Sequence, residues 1–240
     1  MTTPHSAQID HLVVAARTLD EGVAWCEATL GVVPGPGGEH ALFGTHNRLV
    51  RLHCEHAPRA YLEIIAVNPQ ATPTRPAPLK RWFDLDDPAL RARLAQHGPQ
   101  LVHWVASVPD IDAALLALQA IGIQRGPVVS ASRETPNGLL QWRISVRDDG
   151  QRLFNGALPS LIQWGKPGEA EPLRLHPRNS LPRSGVTLQS IAITHPSGAK
   201  LQAAYEAIGL ADVGIETGPA NITATLKTPK GLVQLQSLGL

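Results

Sequence analysis

The stretch QIDHLVVAARTLDEGVAWCEATLGV, Gln8 to Val32, reads as a strand, a capped helix and a glycine stop. A short β-type run opens it. Thr18 and Glu21 then stand at capping-box spacing, where two side chains satisfy the unpaired backbone N–H groups of a helix start. Val23, Cys26 and Leu30 recur at helical spacing. Gly31 follows the last turn, where the left-handed conformation carries no Cβ strain, and Val32 supplies the apolar residue that a Schellman-type stop prefers.

Working outward, the same grammar returns twice. LVHWVASVPDIDAALLALQAIGI runs from Leu101 to Ile123, and LQSIAITHPSGAKLQAAYEAIGL from Leu188 to Leu210. Asp110 and Ser197 are natural helix N-caps, and Gly122 and Gly209 are the stops. A set of short strands follows each helix. These are ALFG, NRLVRLHC and AYLEIIAV in the first unit, and PVVSASRE, LLQWRISV and PSLIQWG in the second, with an Asn137-Gly138 hairpin turn. In the third they are VGIET, NITATLKT and GLVQLQSL. The pattern predicts an α+β protein of repeated βαβββ units. Two units, within residues 1–165, form a cupped sheet with helices at 20–30 and 111–121 outside, and a third occupies 186–240. An insert at 68–99 holds the proline-rich loop Pro69–Pro78 and a helix with Asp87 as N-cap, Pro88 at its first position and Gly98 as stop. Residues 166–185 read as a linker.

Composition narrows the class of function. At 240 residues and 25.7 kDa, with 43% hydrophobic and 17% charged residues, the chain has an ordinary globular make-up. Net charge is +1 without a basic stripe, so neither nucleic acid nor a membrane surface is an expected partner. No signal peptide is read at the start and no apolar run approaches the roughly 18 residues of a membrane span. A cytoplasmic protein is expected. Cys26 and Cys54 lack metal-type spacing and are read as small buried or half-buried residues.

Paired βαβββ units with a polar residue on each first and last strand resemble the vicinal oxygen chelate superfamily of glyoxalase I, extradiol dioxygenases and fosfomycin- and bleomycin-resistance proteins. IDHLVVA, GTHN at Gly44–Asn47, YLEIIAV, SRETPNGLLQWR at Ser132–Arg143 and LIQW look more narrowly like bacterial glyoxalase-like proteins. The resemblance covers residues 8–165 well and 186–238 loosely. It implies a divalent metal (Zn, Ni, Mn or Fe) where first and last strands meet. Carried over by the repeat, it implies His11, Glu63, His103 and Gln163 as ligands, while the third unit offers only Ser190 and Gln234. Two imidazoles and a carboxylate resemble a facial triad with open positions for substrate. The bland alternatives are hydrogen-bonded structural histidines and a Glu63 paired with Arg51 or Arg143.

Further candidates are Arg133 and Arg143 as a clamp for a carboxylate or phosphate, Trp142 as the wall of an apolar pocket, and Thr45, His46 and Asn47 facing the cup. PGPGGEH, Pro34–His40, lacks the Lys-Ser/Thr of a phosphate loop and reads as a flexible connection over the cup. Two functions follow from the resemblance. One is a metal-dependent lyase, isomerase or dioxygenase with Glu63 as ligand and base. The other is a metal-free protein that sequesters a small molecule. The apolar strands of the third unit, Ile191, Ile193, Ile222, Leu226, Val233 and Leu235, need cover, either by packing on the first two units within the chain or, the arrangement expected, by pairing with the third unit of a second chain in a homodimer.

Overall fold

In the computed structural model, residues 6–166, 169 and 175–239 are described. The first unit contains β1 (Gln8–Ala15), α1 (Leu19–Leu30), β2 (Glu39–His40), β3 (Thr45–His53) and β4 (Tyr61–Val67). After α2 (Pro88–His97), the second unit has β5 (Gln100–Ser107), α3 (Ile111–Ala120), β6 (Val128–Thr135), β7 (Gly138–Ser145) and β8 (Ser160–Trp164). The third has β9 (Val186–Thr194), α4 (Gly198–Ala207), β10 (Gly214–Glu216), β11 (Asn221–Thr228) and β12 (Gly231–Gln236). ALFG is a turn and not a strand; the preceding Glu39–His40 pairs with β3 in its place.

The helix starts follow local chemistry in three of four cases. Thr18, Asp87 and Asp110 each accept backbone N–H groups of the first turn. Ser197 makes no side-chain cap; its own N–H instead donates to His195 Nδ1 at 2.9 Å. Gly31, Gly122 and Gly209 all adopt positive φ, as the stop geometry demands.

All strands join one sheet in the order β12-β11-β9-β3-β4-β1-β5-β8-β7-β6, with β2 beside β3 and β10 beside β9. Its centre is the antiparallel β1–β5 pair, and each of these strands lies parallel to the last strand of its own unit, β4 or β8. The third unit keeps the element order but not this pairing. Its first strand, β9, lies between β10 and β11, and its last strand, β12, is at the edge. It joins the first unit through two parallel register pairs, Leu52–Val186 and His53–Thr187.

The sheet's two faces carry separate cores. Against the helices pack Leu12, Val14, Cys26, Ile64, Trp104, Ile111 and Leu118, together with Tyr205, Ile208, Ile222 and Leu226 of the third unit. Tyr205 ties the two parts with a hydrogen bond from its hydroxyl to the Ala157 carbonyl, 2.6 Å. The third unit's apolar face is therefore covered within the chain, and the need for a second copy to cover it disappears. In the cup itself, Val13, Ile65, Val105, Trp142, Ile162 and Trp164 meet Trp82, Phe83, Leu85, Leu90 and Leu94 of the insert. The insert fills part of the cup with Trp82 and Phe83, which stack on Phe43 of the first unit, ring centroids 4.0 Å apart for Phe43–Trp82 and 4.9 Å for Trp82–Phe83. Among the described residues no helix is long and apolar enough to cross a membrane.

Candidate functional site

The site begins with an irregularity in β1. Its register against β5 jumps from Ile9–Ala106 to His11–Val105, so Asp10 is an extra residue, a β-bulge. Ile9 lies in the helix-side core, whereas unbroken strand alternation would put it on the face of His11 and Val13. Both Asp10 and His11 are buried. Asp10 accepts from Trp164 Nε1 at 2.8 Å, contacts His11 Nδ1 at 2.6 Å and His176 Nε2 at 3.3 Å. Burial alone pushes its carboxyl up, but His176 and His11 more than offset this and hold it well below the usual carboxylate range. An ionised carboxylate only accepts, so the His11 proton belongs on Nδ1 and Nε2 points onward.

That Nε2 faces Glu63 Oε2 at 3.7 Å, while the His11 ring stacks on Tyr61 with centroids 4.5 Å apart. Parallel pairing of β1 and β4 sets this neighbourhood, with Val13 opposite Glu63 and His11 opposite Tyr61. Glu63 is buried and makes no ion pair with Arg51 or Arg143. Asn47 Nδ2 donates to Glu63 Oε1 at 2.5 Å, and Asn47 Oδ1 accepts from Gly38 N at 2.7 Å. The glycine-rich loop is therefore pinned, not loose. A Cβ at Gly37 would lie 2.1 Å from the Asn47 carbonyl oxygen, and only glycine permits that approach.

His40 completes this side, its Nε2 4.0 Å from Glu63 Oε1 and its Nδ1 3.0 Å from Thr45 Oγ1. Burial, with the charges of Arg133, His11 and His46, lowers its pKa to about 3, so it is neutral at ordinary pH. Above lies Arg133, whose Nε and Nη1 are buried without a hydrogen-bond partner among the described residues. A Cβ at Gly38 would stand 1.5 Å from Arg133 Nη1, so this glycine makes the guanidinium's room. Burial lowers the Arg133 pKa, and nearby Tyr61 and Glu63 work against that. Arg133, Gly37, Gly38, Leu140, His176 and Asn179 line a cavity of about 680 Å³. Trp142 is in the cup wall beside Trp164, centroids 5.9 Å apart.

The remaining expected residues are placed elsewhere. His103 is fully buried with Phe83 of the insert 5.3 Å away. Its Nδ1 faces the Gly156 carbonyl at 3.0 Å, and its Nε2 accepts from Ser160 N at 3.1 Å, with Arg125 Nη2 at 3.4 Å. Both ring nitrogens are thus committed, and burial beside Arg125 and Arg152 keeps the pKa well below the ordinary histidine value. Gln163 lies between Ile162 and Trp164, both cup residues, so strand alternation sends it to the other face. There its Oε1 accepts from Ile111 N at 3.2 Å. Arg143, also on that face, forms a two-bond fork with Asp112 at 2.8 and 2.9 Å. The clamp expected of Arg133 and Arg143 therefore reduces to Arg133.

A metal held by His11, Glu63, His103 and Gln163 does not fit this arrangement, because two of the four donors are committed to other partners. Among the described residues no group of three or more His, Cys, Asp or Glu is disposed to hold a metal ion. Sequence reasoning missed Asp10, His40 and His176. The Asp-His dipeptide inside a strand was a signal for the first. Nothing local marks His176, which a distant turn brings against Trp164 at 4.8 Å and Tyr61 at 5.7 Å.

Residues 9–209 match the family described as glyoxalase-like domain. No curated protein matches the chain. Among solved structures, a hypothetical protein from Staphylococcus aureus is 14% identical with a TM-score of 0.57, covering 96% of this chain and 85% of its own. A methylmalonyl-CoA epimerase variant from Streptomyces coelicolor, in complex with 2-nitronate-propionyl-CoA, is 19% identical with a TM-score of 0.42, covering 66% and 94%. A 4-hydroxymandelate synthase mutant from the same organism is 12% identical with a TM-score of 0.48, covering 96% and 62%.

Proposed function

The chain belongs to the glyoxalase-like domain family of the vicinal oxygen chelate superfamily, and from that premise we propose that its cup is the active site of a lyase or isomerase acting on a small oxygenated anion. The observation that carries the reading is Glu63. A buried carboxylate is costly unless held by partners, and this one is oriented by Asn47 while its second oxygen faces an imidazole at 3.7 Å. Proton abstraction next to a carbonyl suits a carboxylate so positioned. In this reading Glu63 takes the proton. Asp10 orients His11, whose Nε2 stands ready to hold or relay a proton beside that carboxylate. Arg133, with two buried and unpartnered nitrogens, holds the carboxylate or phosphate of the substrate. Trp142, Trp164 and Tyr61 exclude water, which strengthens each of these interactions.

The metal-dependent form of this chemistry, and the dioxygenase reading above all, asks for donors at His103 and Gln163, so no step is assigned to a metal. Elemental analysis of protein purified without a His-tag checks this. One equivalent of Zn, Ni, Mn or Fe, lost on Glu63→Gln, would restore the metal reading. A sequestering protein is the second reading, favoured by the aromatic filling that the insert brings into the cup.

The deciding experiment follows exchange of the proton next to the carbonyl in D₂O by NMR, over small 2-oxo acids, 2-hydroxy acids and their phosphate esters. Wild-type protein should accelerate exchange for one class, and Glu63→Gln should slow it by about 10²–10⁴-fold while the compound still binds. Binding without exchange in the wild type selects the sequestering reading. Equal exchange in both proteins removes Glu63 from the base role.

A further inference from the structure

A second cationic site lies outside the cup, where the third unit meets the first. Arg51, at the end of β3, and Arg178 and Arg183, from the segment entering β9, line a cavity of about 370 Å³ together with His53, Ser184 and Thr187. None of these lining residues is acidic. Elsewhere the chain matches its arginines with aspartates: Arg75 with Asp148, Arg81 with Asp86, Arg143 with Asp112 and Arg152 with Asp84. Among the described residues Arg51, Arg178 and Arg183 have no such carboxylate. Their recorded bonds go to backbone carbonyls, from Arg51 Nη1 to Leu181 at 3.2 Å and from Arg178 Nη2 to Leu52 at 3.4 Å. Arg178 Nε is buried with no hydrogen-bond partner among the described residues.

Burial and the neighbouring charge of Arg51 both disfavour the charged form of Arg178, and among the described residues no anion offsets them. Unmatched guanidinium groups of like charge, Arg51 and Arg178 half-buried and Arg183 exposed beside them, are a standing cost, and an added anion lowers it. We propose that Arg51, Arg178 and Arg183 form a binding site for a phosphoryl oxyanion, inorganic phosphate or a small phosphate monoester, at the seam between the first and third units. Three planar forks lining one cavity match the several acceptor oxygens of a tetrahedral dianion better than the two of a carboxylate. Location adds a consequence. The seam itself has two register pairs, and the turn bearing Arg178, Pro177–Ser180, follows directly on His176 in the floor of the cup. An anion held there fastens the third unit to the first and steadies that turn.

The test is isothermal titration and ³¹P NMR on the full chain with inorganic phosphate and glycerol phosphate, using acetate at equal ionic strength as the control. Saturable phosphate binding is expected, absent with acetate, together with a higher melting temperature. Arg183→Gln, at an exposed position that leaves the fold intact, and Arg178→Gln should each weaken binding by about tenfold or more, the worth of a charge-assisted hydrogen bond. Tighter binding of glycerol phosphate assigns the site to a phosphorylated small molecule, and tighter inorganic phosphate to the free ion. Absence of saturable binding to the wild type overturns the proposal, and so does binding that neither substitution changes. Phosphate taken up by Arg133 in the cup would be insensitive to both substitutions, so the loss on Arg178→Gln and Arg183→Gln separates this site from the cup and from the role of Glu63.

Discussion

At the scale of single residues, the cup sets neutral and charged groups side by side, and pH will report which is which. His40 is buried with its pKa lowered to about 3, against 6.5 in the ordinary case. Below pH 6.5 the unfolded chain takes up a proton there that the folded chain refuses. Its share of stability is therefore complete above 6.5 and is lost as pH falls toward 3. Urea midpoints measured across that window should fall with pH, and His40→Phe, which keeps the edge contacts to Trp82 and Trp142, should make the fall shallower. An unchanged slope would remove His40 from this account. Asp10 acts in the same direction at lower pH. Its carboxyl is held below the ordinary value of 3.8, so its contribution is present above that pH and lost beneath it.

At the scale of elements, caps and close contacts separate local from tertiary causes. Thr18→Ala and Asp110→Ala each remove a side chain that accepts first-turn N–H groups, and each should cost about 1 kcal/mol in urea unfolding. Ser197→Ala should cost almost nothing, because the Ser197 side chain makes no cap hydrogen bond to lose. Helix α1 crosses β4 so closely that a Cβ on Gly22 would stand 2.4 Å from Ile64 Cγ2. Gly22→Ala gains helix propensity but must push the helix off the sheet, and a net loss of about 1–3 kcal/mol is expected. A stabilised Gly22→Ala would show that the helix shifts freely.

At the scale of the molecule, one helix-side core runs beneath all three units, from Leu12 and Trp104 to Tyr205 and Leu226. Ending the chain near Gly165 uncovers Trp104 and Ala157, which Tyr205 contacts in the whole protein. The shortened chain is expected to melt at lower temperature by circular dichroism and to bind an apolar dye such as ANS. A fragment as stable as the full chain would mean that the third unit is an appendage. Because its apolar face is covered inside the chain, a homodimer formed by this protein would use another surface.

The order of elements apart from ALFG and the Glu39–His40 strand, three helix starts, every glycine stop and the facing of Glu63 and His11 were legible in the sequence. Each depends on residues within a few positions of one another, where propensity, capping and alternation act directly. What tertiary structure alone decided is which way particular side chains face and what meets them. The bulge at Asp10 exists only against β5, and it moves Ile9 to the opposite face from the one alternation predicts. Gln163 points to α3 because Ile162 and Trp164 take the cup, so aligning the repeats by their polar residues does not carry the facing of Glu63 over to β8. His103 is fully committed because the insert closes over it and Ser160 and Gly156 saturate its ring. The third unit repeats the elements but not the pairing. Strand register and partner choice are set by contacts between distant segments, where a shift of one residue reverses every side chain, and a single strand's sequence does not contain them.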